Sequence, residues 1–224
     1  EEILEFEAGY DSFCGERGVN ISGLDIGLPS INKKDLEYIK LAIKLNLDWI
    51  ALSFVRSEQD RIPVDNLFKR LKHSIPLIAK IEKPEAVKDL DSIIKKFDGA
   101  LVARGDLGVE LGFEMVPVVQ KKIIQSCHKH GKPVILATQM LESMITNNIP
   151  TRAEVNDVAV SVEDSCDAVM LTAETSIGEY PVESVKMMKS IILRMEKEIE
   201  KHTDFKGSHA LVDKLSIQNS ICHS

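Results

Sequence analysis

Residues 75–87, IPLIAKIEKPEAV, pass from a short apolar run into charged residues and then into a proline. The run Ile75–Ile81 has the length of a buried strand, and its end carries Lys80 and Glu82. Pro84 suits the first turn of a helix. The same order recurs three times. Gly99–Ala103 leads to Arg104, Gly105 and Asp106 in GALVARGD. Val134–Ala137 leads to Thr138 and Gln139 in PVILATQ. Ala168–Leu171 leads to Thr172, Glu174 and Thr175 in AVMLTAET. Strand followed by helix, repeated, predicts a parallel sheet with right-handed crossovers. In such α/β folds the active site sits at the carboxyl ends of the strands, where these polar residues fall.

Outward from these runs the rhythm continues. Asp48–Phe54 (DWIALSF) is a fifth β-like run. Helices are expected over Lys33–Leu45, Ser57–Lys72, Pro84–Phe97, Val116–His130, Glu154–Val162 and Val182–Glu198. Ser30 is the expected N-cap of the first, with Leu36, Ile39, Ile43 and Leu47 at helical spacing. Gly131 suits the position just past the end of the fourth. GDLGVELGFE is a Gly-rich stretch, and SMITNNIPTRAE reads as a polar loop. Five such units fit either a doubly wound sheet or a stretch of (β/α)8 TIM barrel. A complete barrel takes about 250 residues and eight units. No GxGxxG follows a first strand, so a dinucleotide fold loses ground. Residues 18–30 have linker composition. Residues 1–17 are too poor in apolar groups to fold alone. Residues 201–224, with Leu211, Leu215 and Ile217, open a further helix, so both ends read as cut.

The 224 residues are 44% hydrophobic and 28% charged, enough for one sizeable core. The formal net charge of -7 argues against nucleic acid or an anionic membrane as the main partner. It leaves room for a phosphorylated substrate at a local positive site. No run approaches the roughly 20 apolar residues of a membrane span. Cys14, Cys127, Cys166 and Cys222 form no CxxC pair, which points to reduced thiols in a cytoplasmic protein rather than a zinc site or disulfides.

Alternation along a strand puts Lys80 and Glu82 on one side, and would put Arg104 and Asp106 on one side if their strand continues that far. Glu82 and Asp106, from neighbouring strands, can hold one Mg2+, leaving its other positions to water and substrate oxygens. Lys80 would face the negative charge of a substrate. Gly105 permits close backbone approach, so that N–H groups near Gly105 and Asp106 could point at a phosphate. Thr138 adds a hydroxyl donor. Each signal has an ordinary counterpart. A Lys-x-Glu is commonly a solvated ion pair, a strand-end Thr a cap, and Glu174 a cap of the next helix. The six histidines, His73, His128, His130, His202, His209 and His223, read as surface residues, and Met140 and Met144 as packing. The functional case rests on four strand endings occurring together.

IPLIAKIEKPEAV, VARGDLGVEL, KPVILATQMLESMI, PTRAEVNDVA and AVMLTAETSIGEYPVESV resemble, in order and spacing, the signature motifs of pyruvate kinases, and GVNISG and LDWIALSFVRS also fit. The resemblance covers about 18–198. It implies a (β/α)8 barrel, here incomplete with about five C-terminal units over 18–200. Residues 1–17 would end the lid domain and 201–224 would start the C-terminal domain. The implied reaction is phosphoryl transfer from phosphoenolpyruvate to ADP, giving pyruvate and ATP in glycolysis. Lys80 would stabilise the transferring group, Glu82 and Asp106 would bind Mg2+, and Gly105, Asp106 and Thr138 would contact substrate. The resemblance further implies a cytoplasmic homo-tetramer and a K+ ion whose ligands lie outside this chain.

Some residues depart from the family pattern. Glu16 and Arg17 stand where many relatives carry two basic residues, and TAET stands for the commoner SGET. Thr172 and Glu174 receive no assigned role. Two further readings stay open: a Mg2+-dependent aldolase or lyase on pyruvate-like substrates, and a non-catalytic fragment. With three barrel strands missing, the isolated chain is expected to show little or no turnover.

Overall fold

The computed structural model describes residues 31–205, with side chains as far as residue 201. Five parallel strands pair in the order in which the chain makes them: β1 (Ile50–Leu52), β2 (Leu77–Ile81), β3 (Gly99–Ala103), β4 (Val134–Ala137) and β5 (Ala168–Met170). A doubly wound sheet reverses its strand order at a switch point. This sheet does not, so it is an arc of barrel, and the incomplete (β/α)8 expectation holds. The pairings Ile81↔Val102, Val102↔Leu136 and Ala137↔Met170 bring all the carboxyl ends to one rim.

The two faces of the sheet differ. Leu77, Ala79, Ile81, Ala100, Val102, Val134 and Leu136 join the large core packed by the helices. Ile78, Leu101, Ala103 and Ala137 form a separate small cluster on the opposite, inner face, with Ile135 against it. Lys80 and Glu82 continue the row of Ile78, so period-2 alternation carries them from the inner face to the rim.

The helices are α1 (Lys33–Lys44), α2 (Ile62–Leu71), α3 (Pro84–Lys88), α4 (Leu90–Lys96), α5 (Arg104–Leu111), α6 (Val116–Lys129), α7 (Arg152–Glu163), α8 (Ala173–Ser176) and α9 (Pro181–Phe205). Most of the expected spans are recovered, with corrections that have local causes. Asn32, not Ser30, caps α1: its Oδ1 accepts from Lys34 N at 2.7 Å and Asp35 N at 3.0 Å, while Asp35 returns the bond to Asn32 N at 2.8 Å. That reciprocal pair satisfies donors the helix leaves open. Leu47 lies past the helix and is exposed. The single helix expected over Pro84–Phe97 breaks at Asp89, which leaves helical geometry (φ -100°, ψ 22°). In the Gly-rich stretch GDLGVELGFE, α5 occupies most of the residues and stops at Gly112, whose φ is 93°. Gly108 is needed because the Phe113 ring lies over it; a Cβ there would come within 2.7 Å of the ring. Gly131 does end α6 in the left-handed region, at φ 60°.

The polar segment before α7 is more ordered than loop composition suggested. Thr151 caps α7, and Glu154 gathers five bonds: one oxygen accepts from Ser143 N (2.7 Å), the other from Ser143 Oγ (2.5 Å), Thr151 N (2.7 Å) and Thr151 Oγ1 (2.8 Å), while its own N–H donates to Thr151 Oγ1 (3.2 Å). Burial alone would raise the Glu154 carboxyl, but the bonds from Ser143 and Thr151 outweigh it and hold it below its ordinary 4.5. A lowered native pKa contributes stability in full above the unfolded value, and that contribution is lost as pH falls through the native one. Glu154→Gln should therefore flatten the fall in stability below pH 4.5. It should also cost about 1 kcal/mol at neutral pH, the usual worth of a cap. Urea titrations across pH 3–7 (roughly the range of carboxylate linkage) check both.

The other expectations on packing resolve simply. Met140 and Met144 are fully buried. His73 is exposed, but His128 Nε2 lies 2.9 Å from Ser165 O, and His130 Nε2 lies 2.7 Å from Asp91 Oδ1 with its side chain only 16% exposed. Two of the expected surface histidines are thus tied between elements. Burial pushes the Cys127 thiol up to about 12 and the Cys166 thiol up to about 11, which keeps both unreactive. The expectations on residues 1–30 and 206–224, including Glu16, Arg17, Cys14, Cys222, His209, His223 and the helix at Leu211–Ile217, lie outside the described residues, as does the side chain of His202.

Candidate active site

Lys80 leaves β2 on the inner face. Its Nζ lies 2.6 Å from Glu82 Oε1 and donates to Ser53 Oγ at 2.9 Å. Glu82 is 1% exposed, and its second oxygen accepts from Phe54 N at 2.8 Å. A buried carboxylate needs a cation and hydrogen bonds. The ammonium and the Phe54 amide supply them. Delivering that amide places Phe54 at φ 56°, an outlier for a bulky residue. The Lys-x-Glu spacing is therefore an ion pair at the rim with its carboxylate buried and its ammonium partly exposed, rather than a solvated pair.

Asp106 does not share a strand face with Arg104, because β3 ends at Ala103 and both residues lie in the first turn of α5. Asp106 is partly exposed and makes no side-chain hydrogen bond or ion pair among the described residues. Arg104 turns inward and is 6% exposed. Its Nη1 pairs with Asp157 Oδ2 of α7 at 2.5 Å. Its Nε and Nη2 donate to Thr138 O at 3.1 and 2.8 Å, and Nη2 also to Gln139 O at 2.6 Å.

Thr138 follows β4 in the left-handed region, at φ 68°, and Gln139 continues there at 52°. The Thr138 hydroxyl donates to Ala137 O at 2.6 Å and accepts from Gly105 N at 2.8 Å. The Gly105 amide and the Thr138 hydroxyl thus satisfy each other here, where the sequence suggested that each would point at a ligand. A Cβ on Gly105 would sit 3.5 Å from Thr138 Oγ1, ordinary contact, so this bond does not itself demand glycine.

Glu174, in α8, is 1% exposed and is more than a helix cap. Its oxygens accept from Leu141 N at 3.1 Å and from Thr172 N at 2.8 Å, with Thr172 Oγ1 at 3.3 Å. It binds the loop after β4 to the end of β5. A second buried pair, Lys83 Nζ to Glu110 Oε1 at 2.6 Å, ties the start of α3 to α5.

The rim thus presents an ammonium, a buried carboxylate, a freer carboxylate and a hydroxyl, on three consecutive strands or the turns that follow them. The barrel domain of pyruvate kinase matches residues 3–185 of the chain. The chain belongs to the pyruvate kinase family. It is 50% identical over 180 residues to a pyruvate kinase of Mycobacterium intracellulare, covering 80% of this chain and 38% of that protein. It is 47% identical over 210 residues to pyruvate kinase 2 of Synechocystis, covering 94% and 35%. A solved pyruvate kinase from Cryptosporidium parvum superposes with a TM-score of 0.77 at 44% identity, covering 80% of this chain and 38% of that one. The chain therefore spans well under half the length of these pyruvate kinases.

Sequence reasoning missed Ser53, Phe54 and Asp157 as partners of the rim. Ser53 and Phe54 stand in DWIALSF at the end of β1, where strand-end position was the available signal. Asp157 sits mid-helix and carried none. Among the described residues no cluster of three or more His, Cys, Asp or Glu is assembled for a metal, and no helix is long and apolar enough to cross a membrane.

Proposed function

We propose that the protein carrying this chain transfers the phosphoryl group of phosphoenolpyruvate to ADP, giving pyruvate and ATP. The observation that carries this reading is the Lys80–Glu82 pair at the mouth of the inner face, beside Asp106, Gly105 and Thr138 on the next two strand ends. The bond from phosphorus to the enol oxygen breaks, one to the terminal phosphate oxygen of ADP forms, and the enolate carbon takes up a proton. Such transfer is mostly positioning and charge neutralisation. Lys80 would stabilise the charge on the moving group, and Thr138 and the Gly105–Asp106 backbone would orient the substrate.

Glu82 and Asp106 suit Mg2+: both are hard oxygen donors, Mg2+ takes few carboxylates, and Asp106 has an unengaged carboxylate among the described residues. When bound there, Mg2+ would supply charge neutralisation. K+ is a further ion of the family resemblance, with no ligand assigned in this chain. On the same reading, residues 1–17 end a lid domain, 18–200 are part of the barrel and 201–224 begin a C-terminal domain. The assembled protein would be a cytoplasmic homo-tetramer.

The test is a chimaera in which residues 18–200 replace the matching segment of the Geobacillus stearothermophilus pyruvate kinase, which is 45% identical over 212 residues. The expected result is ATP formation from phosphoenolpyruvate and ADP. Retro-aldol cleavage without ATP formation would favour the lyase reading instead. The 224-residue chain alone should show little or no turnover, because β1 and β5 each have a strand neighbour on one side only among the described residues.

A further inference from the structure

Thr138 and Gln139 are consecutive non-glycine residues in the left-handed region, directly after β4 and within the rim. Side chains with a Cβ enter that region at a cost, and they stay only where the surroundings over-determine them. Here one side chain meets both carbonyls of the turn. The Arg104 guanidinium places Nε and Nη2 on Thr138 O and Nη2 on Gln139 O, and its remaining Nη1 is held by Asp157. A planar fork holds the two carbonyls and the Asp157 carboxylate at once in a fixed geometry; an ammonium gathers its three donors on a single atom and cannot span the same three partners with that geometry. The exchange is reciprocal. The β3 end sends the Arg104 side chain to the Thr138 carbonyl, and the β4 end offers the Thr138 hydroxyl to the Gly105 amide. That amide belongs to the first turn of α5, where helix N–H groups have no partner of their own.

We infer that Arg104, braced by Asp157, is a positioning residue of the site: it holds the left-handed Thr138–Gln139 turn and so sets the Thr138 hydroxyl against the Gly105 amide. Its meaning for catalysis rests on the proposed phosphoryl transfer, in which Thr138 and Gly105 meet the substrate. Arg104 itself need not touch substrate.

The claim is one of order: Arg104 acts on Gly105 through Thr138. Amide hydrogen exchange of the full 224-residue chain tests it without any substrate, so it can fail or succeed separately from the phosphotransfer assay. Arg104→Ala should lower protection of the Gly105 amide about tenfold, as losing the hold on one hydrogen bond implies. Val102 in β3 and Leu136 in β4 should keep theirs. Thr138→Val should give a similar local loss. The double variant should be no worse than the worse single one, since both remove the same bond. Arg104→Lys should not rescue Gly105 protection. Multiplying losses in the double variant, an unchanged Gly105, or a loss spread equally over Val102 and Leu136 would each overturn the inference. If Arg104→Ala does not fold, Asp157→Asn carries the test, since that carboxylate sits at the more exposed end, 38% accessible. A loss confined to Gly105 then supports the inference, and a global or absent change defeats it.

Discussion

Lys80→Met in the chimaera should reduce phosphoryl transfer by about 10³-fold, roughly 4 kcal/mol of transition-state stabilisation, the worth of one preorganised charged donor in a water-poor site. Steady-state rates with saturating phosphoenolpyruvate and ADP measure it. Mg2+ affinity should not fall. In the structure the Lys80 ammonium sits on Glu82 Oε1, so a cation arriving at Glu82 meets a competitor that methionine removes. Isothermal titration with Mg2+ separates the two effects, and a loss of metal affinity would count against the roles given to Lys80 and Glu82. The same substitution has a stability cost of about 3–5 kcal/mol, because it leaves the Glu82 charge buried with the Phe54 amide as its remaining partner. Added Mg2+ should return part of that stability, and a neutral Glu82→Gln on top of Lys80→Met should return more.

That coupling of chemistry and packing explains what the sequence made legible. The strands could be found because buried parallel strands read as unbroken apolar runs. Lys80 and Glu82 could be placed together because period-2 alternation needs no knowledge of neighbours. Repeated strand and helix predicted a parallel sheet but left its strand order open between a doubly wound sheet and a barrel. The errors have a different character. Gly105, Gly108 and Gly112 marked a Gly-rich stretch and gave no sign of the helix α5. Yet Gly108 is glycine because the Phe113 ring covers it, and Gly112 because the chain turns at the end of α5. Nothing local marks Phe54, Thr138 or Gln139 as left-handed, since none is Gly, Asn or Asp. Their conformations are imposed from 28 to 35 positions away, by Glu82 on the Phe54 amide and by Arg104 on the carbonyls of Thr138 and Gln139. Arg104 itself was read by its neighbours in RGD rather than by Asp157 on a later helix. A sequence without relatives shows what a residue can do, not which distant group will ask it to.

Glu174→Ala should destabilise the chain by about 3 kcal/mol, the combined cost of leaving the buried Leu141 amide and the partly buried Thr172 amide without acceptors. Urea unfolding checks this through a lower midpoint at unchanged slope. The carboxylate is almost wholly enclosed, and its two oxygens serve two different segments: one the loop after β4, the other the end of β5. Glutamine is therefore not a benign replacement. It offers one acceptor oxygen and one NH2, so one of the two backbone donors would face another donor. Glu174→Gln should recover no more than about half of the loss. If it restored full stability, one of the two bonds would be dispensable. The position also bears on Thr138, because Leu141 lies three residues beyond it and the Glu174 bond anchors that loop from the far side. Arg104 holds the loop at its start and Glu174 holds it further along. Removing Glu174 should therefore speed exchange of the Leu141 amide while leaving the β2–β3 ladder unchanged.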